Sequence, residues 1–271
     1  MSTLDALADW PVENVSAALI TTTGVADEFG DPGRVYELAS VTKLLVAQAV
    51  LVAVEEGAVE LDAAAGPPGA TVEHLLAHAS GLAFDSREAA APVGTQRIYS
   101  SAGFEVLAES VEAASGIAFA EYLRQAVCEP LGLADTELYG PAGHGARSTV
   151  ADLSRFAADL LTPTLLSGEL AARATSVAFP GLDGFVPGYG KHRPNDWGLG
   201  FEIRSEKSPH WAGSRNSPQT FGHFGQAGTF LWVDPQLEAA CVVLTDRPFG
   251  AWAKPLWSEF NDTVVDSLTQ S

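Results

Sequence analysis

Basic side chains are scarce in this chain: 15 Lys and Arg stand against 34 Asp and Glu over 271 residues, a formal charge of −19. So acidic a surface repels phosphate backbones and anionic membranes across the roughly 8–10 Å that physiological salt leaves unscreened, and neither nucleic acid nor a membrane is expected as a partner. Cysteine is almost missing. Cys128 and Cys241 lie far apart without a C-x-x-C partner, which supports no disulfide framework or thiolate zinc site, and both read as small buried hydrophobes. Long apolar runs are absent too: no uncharged stretch of apolar residues reaches the roughly 18 a membrane helix needs. The opening MSTLDALADWPVE has neither a basic start nor an apolar run of about 7–15 residues, so a cytoplasmic location is expected. GYG at 188–190 and GLG at 198–200 lack the strand, turn and helix of a phosphate loop or dinucleotide fingerprint. No cofactor is expected.

With 46% hydrophobic residues, the chain can fold around one large core or two unequal lobes. VSAALITT (15–22) and, after the turn-prone GDPG, RVYEL read as short strands following a brief helix. From about 60 to 180 the pattern is helical, through TVEHLLAHASG, AGFEVLAESVEAASG, AFAEYLRQAVCEPLG and STVADLSRFAADLLT. Strand signals return in WGLGFEI, GTFLWVDP and AACVVLTD, and an amphipathic helix with Trp252, Leu256, Phe260 and Val264 at i, i+4 spacing closes the chain. The expected class is α/β (α+β). Residues 1–60 and 186–271 form an antiparallel sheet lobe flanked by terminal helices, and residues 61–185 an inserted, mainly helical lobe, within one domain. Pockets form at such junctions.

LASVTKLLVAQAVLVAVEEG (38–57) is apolar nearly all round, yet holds Lys43 three places after Ser40. On a helix that spacing puts both on one face. Burial and the positive end of the helix both disfavour the ammonium, and a lysine of lowered pKa beside a hydroxyl is a base beside a nucleophile. The plainer alternative is a serine cap with a lysine that snorkels to water.

ELASVTK, TVEHLLAHASGL (71–82), YSSAGFEVLAESVEAASG (99–116), YLRQAVCEPLGLADT, STVADLSRF (148–156), WGLGFEI and GHFGQAGTFLWVDP (222–235) follow one another along most of the chain. Together they resemble the ordered signatures of the serine β-lactamase and penicillin-binding protein superfamily. The likeness is strongest to the class C-like branch that also holds D-alanyl-D-alanine carboxypeptidases and esterases. The resemblance implies Ser40 as the acylated nucleophile, Lys43 as the group receiving its proton, and Tyr99 as a proton relay. A lysine ammonium nearby is expected to lower the phenol pKa. It also implies an oxyanion hole from the backbone amides of Ser40 and Gln226.

The departures from the pattern bear on substrate. Ser101 stands where relatives carry asparagine, which weakens amide recognition. His223 replaces the third-motif lysine and removes a permanent cation, and Phe224 replaces a hydroxyl with an apolar ring. Gly225 is expected to let an acyl group lie against its strand. With Ser101, His223, Phe224 and Gly225 as substrate-binding residues, the expected activity is hydrolysis of a small carboxylic ester. The alternatives are a β-lactam or D-Ala-D-Ala peptide substrate, or a catalytically weak ligand sensor with the same fold. His74 and His78 at i and i+4 lack the H-E-x-x-H order and a third ligand, so no metal is expected. The six tryptophans read chiefly as core.

Overall fold

The two ends of the chain meet in one antiparallel sheet. In the computed structural model, which describes residues 2–270, its strands are β1 (Val15–Thr21), β2 (Gly24–Phe29), β3 (Glu202–Ile203), β4 (Phe221–Gly225), β5 (Thr229–Asp234) and β6 (Ala239–Thr245). They lie in the order β2-β1-β6-β5-β4-β3. Leu19 pairs with Cys241, Cys241 with Trp232, and Trp232 with Gly222. The strands β5 and β6 are buried at every position, as strands covered on both faces must be. Successive side chains go to opposite layers: Leu231 and Val233 join one core, Phe230 and Trp232 the other.

The first core is built on α1 (Thr42–Glu55), buried at every residue from Thr42 to Ala53, with α2 (Val72–Leu76), α3 (Ser101–Ser115) and α4 (Val150–Leu161) around it. Each of the last three starts on a hydroxyl cap: Thr71, Ser100 and Thr149 accept from the His74, Gly103 and Asp152 amides. The second core lies between the other sheet face and α5 (Ala253–Thr269), with Leu4, Leu7 and Trp10 of the amino-terminal 3₁₀ segment. The buried stripe of α5 runs through Ala253, Trp257, Phe260 and Val264, so Trp257 takes the place expected for Leu256.

Of WGLGFEI only Glu202 and Ile203 form a strand. A Cβ on Gly198 would stand 2.1 Å from Ala174 O and one on Gly200, at φ +91°, 2.1 Å from the Ala47 side chain. These glycines thread the chain against α1 instead of extending it. No helix among the described residues is long and apolar enough to cross a membrane.

Candidate active site

Ser40 sits in a single 3₁₀ turn, Ala39–Val41, that feeds α1. Ala39 holds φ 45°, a left-handed conformation that costs an L-residue about 1–2 kcal/mol. Neighbours hold it there: Thr229 Oγ1 donates to Leu38 O at 2.9 Å, Leu38 N donates to Ala146 O at 2.9 Å, and Ala146 N donates to Thr42 Oγ1 at 3.0 Å. Gly225 lets this turn lie against β4, since a Cβ there would stand 2.2 Å from Leu38 O and 3.2 Å from Ser40 N. The side of Gly225 that a Cβ would occupy is thus taken by the chain's own turn. The amides of Ser40 and Gln226 donate to no backbone acceptor among the described residues.

Lys43 is fully buried. Its Nζ donates to Gly143 O at 2.6 Å and to Ser101 Oγ at 3.1 Å, and lies 4.6 Å from the centroid of the Tyr99 ring. Burial lowers its pKa to about 7, with Glu105 pulling the other way. No hydrogen bond joins it to Ser40 among the described residues. The reason is local: Ser40 precedes the first α-helical residue, Thr42, so regular helix spacing does not apply across the pair.

The Tyr99 hydroxyl is buried and faces the Ser40 side chain, close enough to interact though outside strict hydrogen-bond geometry. Burial raises the phenol pKa well above its usual value and the Ser40 interaction offsets only part of this. The expected lowering by a lysine ammonium is therefore corrected: desolvation wins, and the phenol is neutral at physiological pH. Lys43 is the member of the pair that titrates near pH 7.

Ser101 opens α3 behind the cap residue Ser100. His223 is buried on β4, and burial first, Lys43 second, lowers its pKa to about 3. Its Nδ1 lies 2.6 Å from Phe224 O; a carbonyl only accepts, so Nδ1 carries the proton and Nε2 presents a lone pair. Phe224, next along the strand, points to the opposite layer and packs its ring on Tyr189, Trp211, Phe249 and Trp257. The expectation that this ring faces the substrate is corrected by the period-2 alternation of β4.

Several contributors reach the site through packing across long sequence separations. Glu105 accepts from the Ala142 and Gly143 amides at 3.1 and 2.8 Å, aiming the Gly143 carbonyl at Lys43. A Cβ on Gly143 would stand 2.9 Å from that of Ser101, so glycine is required there; the glycine-rich GPAGHG (140–145) is the clue in the sequence. Trp197 packs between the His78 and His223 rings, at 4.6 and 5.4 Å. His78 lies beyond the end of α2 at φ 54° and accepts from Ser100 N at 3.1 Å. His74 instead bonds Thr71 and stacks on Phe179 at 4.4 Å, so the two histidines do not share a helix face. Behind them Glu202 is buried with Lys207 at 3.0 Å, His210 at 3.1 Å and Trp211 Nε1 at 2.7 Å. Burial pushes this carboxyl up, but Lys207 and His210 together outweigh it and keep the group ionised.

Ser40, Lys43 and Tyr99 are thus gathered where the sheet meets α1 and α3. A family model described as Beta-lactamase matches residues 29–261. A solved beta-lactamase from Mycobacterium bovis is 59% identical with a TM-score of 0.98, covering 99% of this chain and 100% of that one. The unliganded simvastatin synthase of Aspergillus terreus is 16% identical at a TM-score of 0.77, over 98% of this chain and 97% of that one. An octameric penicillin-binding protein homologue from Pyrococcus abyssi is 20% identical at 0.74, over 93% and 74%. These two share the fold. A shorter match, 38% identical over 77 residues, joins 27% of this chain to 18% of the length of a Salmonella enteritidis protein provisionally named D-alanyl-D-alanine carboxypeptidase. Matched by the family model along most of its length and superposing on the Mycobacterium bovis enzyme throughout, the chain belongs to the beta-lactamase family, within the serine β-lactamase and penicillin-binding protein superfamily.

Proposed function

We propose that the protein is a serine hydrolase of carboxylic esters that works through an acyl-enzyme on Ser40. Ser40 Oγ attacks the ester carbonyl, and its proton passes to the Lys43 amine by way of the neutral Tyr99 hydroxyl. The Ser40 and Gln226 amides hold the oxyanion. The alcohol leaves with a proton returned along the same route, and water then releases the acid. Contacts among unliganded catalytic groups are commonly loose and tighten once substrate is bound.

His223 carries the preference for esters. A buried imidazole with a pKa near 3 supplies no cation for a substrate carboxylate, whereas β-lactams and D-Ala peptides present one. Ser101, already an acceptor for Lys43 at 3.1 Å, is likewise a poorer partner for a substrate amide than a carboxamide. The test is turnover of p-nitrophenyl butyrate against nitrocefin. Faster Ser40-dependent ester turnover is expected; preferential nitrocefin hydrolysis would reverse the reading. A β-lactamase or carboxypeptidase activity is the second reading, favoured by the name of the relative at 59% identity. It calls for a persistent β-lactam adduct on Ser40. A ligand sensor without turnover is the third, and failure of a fluorophosphonate to label Ser40 would favour it.

A further inference from the structure

Two of the few large apolar side chains left exposed, Phe84 at 54% and Phe185 at 64%, line the same cleft, and Tyr99 is part of its lining. Its volume of about 400 Å³ lies within the roughly 300–1,000 Å³ typical of small-molecule sites. Ile98 and Pro187 add to its apolar lining.

Both rings ride on anchored backbone. Phe84 O accepts from the Ser101 and Ala102 amides at 2.7 and 3.1 Å, so it is tied to the start of α3, and its ring stacks on Tyr99 at 5.9 Å with the planes 24° apart. Phe185 is the outward residue of the strand Gly184–Val186, whose neighbours in that strand are both buried. That strand is clamped beside Tyr99: Arg97 N donates to Asp183 O at 2.8 Å, and a Cβ on Gly184 would stand 2.5 Å from Arg97 O. Lys191, on the rim, is paired with Asp183 at 3.5 Å, and the Arg97 guanidinium in the lining is turned onto the backbone carbonyls of Asn195, Ala77, Ala178 and Phe179.

We infer that this cleft binds the alcohol portion of the ester, and that Phe84 and Phe185 select neutral aryl or bulky apolar alcohols. The inference rests on the esterase reading and adds the identity of the leaving group. In acylation the Ser40 Oγ–carbon bond forms, the carbon–alkoxy bond breaks, and the proton lost by Ser40 ends on the departing oxygen. Tyr99 is the group that delivers it, so the departing oxygen lies at Tyr99 and whatever it carries extends between the two phenylalanines. Flat apolar groups gain contact area and ring stacking there.

The test compares phenyl and 2-naphthyl butyrates, whose phenols are of similar acidity, and separately a series of phenyl esters of increasing acyl length. In Phe185→Ala and Phe84→Ala, the kcat/KM ratio of naphthyl over phenyl butyrate is expected to fall about three- to tenfold, and to be retained in Phe185→Trp. An unmoved ratio overturns the inference, and so does a loss confined to the acyl series, which would make the cleft an acyl site. Binding of 2-naphthyl butyrate to Ser40→Ala, measured by calorimetry, separates the two readings. Binding that weakens with Phe185→Ala supports the cleft even if wild-type turnover fails and the esterase reading falls. Binding indifferent to both phenylalanines refutes the cleft whatever the enzyme hydrolyses.

Discussion

Lys43 Nζ donates to the carbonyl of Gly143, a hundred residues further along the chain, at 2.6 Å, and to Ser101 Oγ at 3.1 Å. In the neutral amine these two bonds use both hydrogens, which leaves the lone pair directed away from Gly143 and Ser101 and free to take a proton. Glu105 holds the Gly143 loop from the other side through two amides. An amine that titrates near neutrality, the base of the proposed mechanism, is therefore assembled from α1, α3 and the 140–145 loop together.

The pH dependence of acylation follows from that base. With the Lys43 pKa near 7, kcat/KM rises about tenfold per pH unit below 7 and levels off above it, because the reactive form is the deprotonated one. Lys43→Met abolishes the activity. A profile flat from pH 5 to 9 would contradict this assignment.

Glu105 raises the Lys43 pKa, so Glu105→Gln, which removes the charge and keeps one acceptor oxygen for one of the two loop amides, moves the rising limb to lower pH. Relative to its own plateau, the variant is more active at pH 6 than the wild type. A limb that stays in place or moves upward removes Glu105 from the account.

Stability carries the same signature. Unfolded, the lysine keeps its proton to about pH 10.4; folded, it releases it near 7. Between these values the unfolded chain binds more protons, so stability increases with pH across that window. Urea unfolding from pH 7 to 10 should show this gain in the wild type relative to Lys43→Met. Parallel curves for the two proteins would contradict a depressed lysine.

Tyr99→Phe keeps the ring over Lys43 and removes the hydroxyl that faces Ser40. A fall of about 10²–10⁴ in acylation rate is expected, as for loss of a positioned acid or base. The limb near pH 7 stays where it is, since burial keeps the phenol from titrating there. A shift of that limb would reassign it to Tyr99.

Gly225→Ala places a methyl 2.2 Å from Leu38 O and 3.2 Å from Ser40 N. The Ser40 turn has to move, at a cost of about 1–3 kcal/mol for overpacking. Thermal unfolding should fall accordingly, and Ser40 should lose its reactivity. A stable, fully active variant would show that the turn has slack.

The residues of this site could be picked out in the sequence because they fall close together along it, although the Ser40–Lys43 contact expected from helix spacing is not formed. Ser40 and Lys43 are three residues apart, Tyr99 and Ser101 two apart, and the apolar run from Leu44 to Ala53 announces burial of the lysine between them. What escaped the sequence depends on where the chain returns. Nothing near Gly143 says that its carbonyl meets Lys43, and nothing near Glu105 says that it caps that loop, since both contacts arise from packing across long separations. Phe224 escaped for a different reason. The glycines of FGHFG blur the alternation that would assign its face, and the side matters because His223 and Phe224 cannot both face the layer that holds α1 and Lys43. The direction of the Tyr99 shift needed a comparison of magnitudes, burial against neighbouring charge, that residue order does not supply.

The central claim is that Ser40 is an activated alcohol, and labelling tests it most directly. The wild-type protein, Ser40→Ala and Lys43→Met are treated with a fluorophosphonate at neutral pH, and the modified peptide is mapped by mass spectrometry. One adduct on Ser40 in the wild type, absent from Ser40→Ala and strongly slowed in Lys43→Met, is the result expected. An unlabelled Ser40 in folded wild-type protein, or labelling as fast without Lys43, would contradict it.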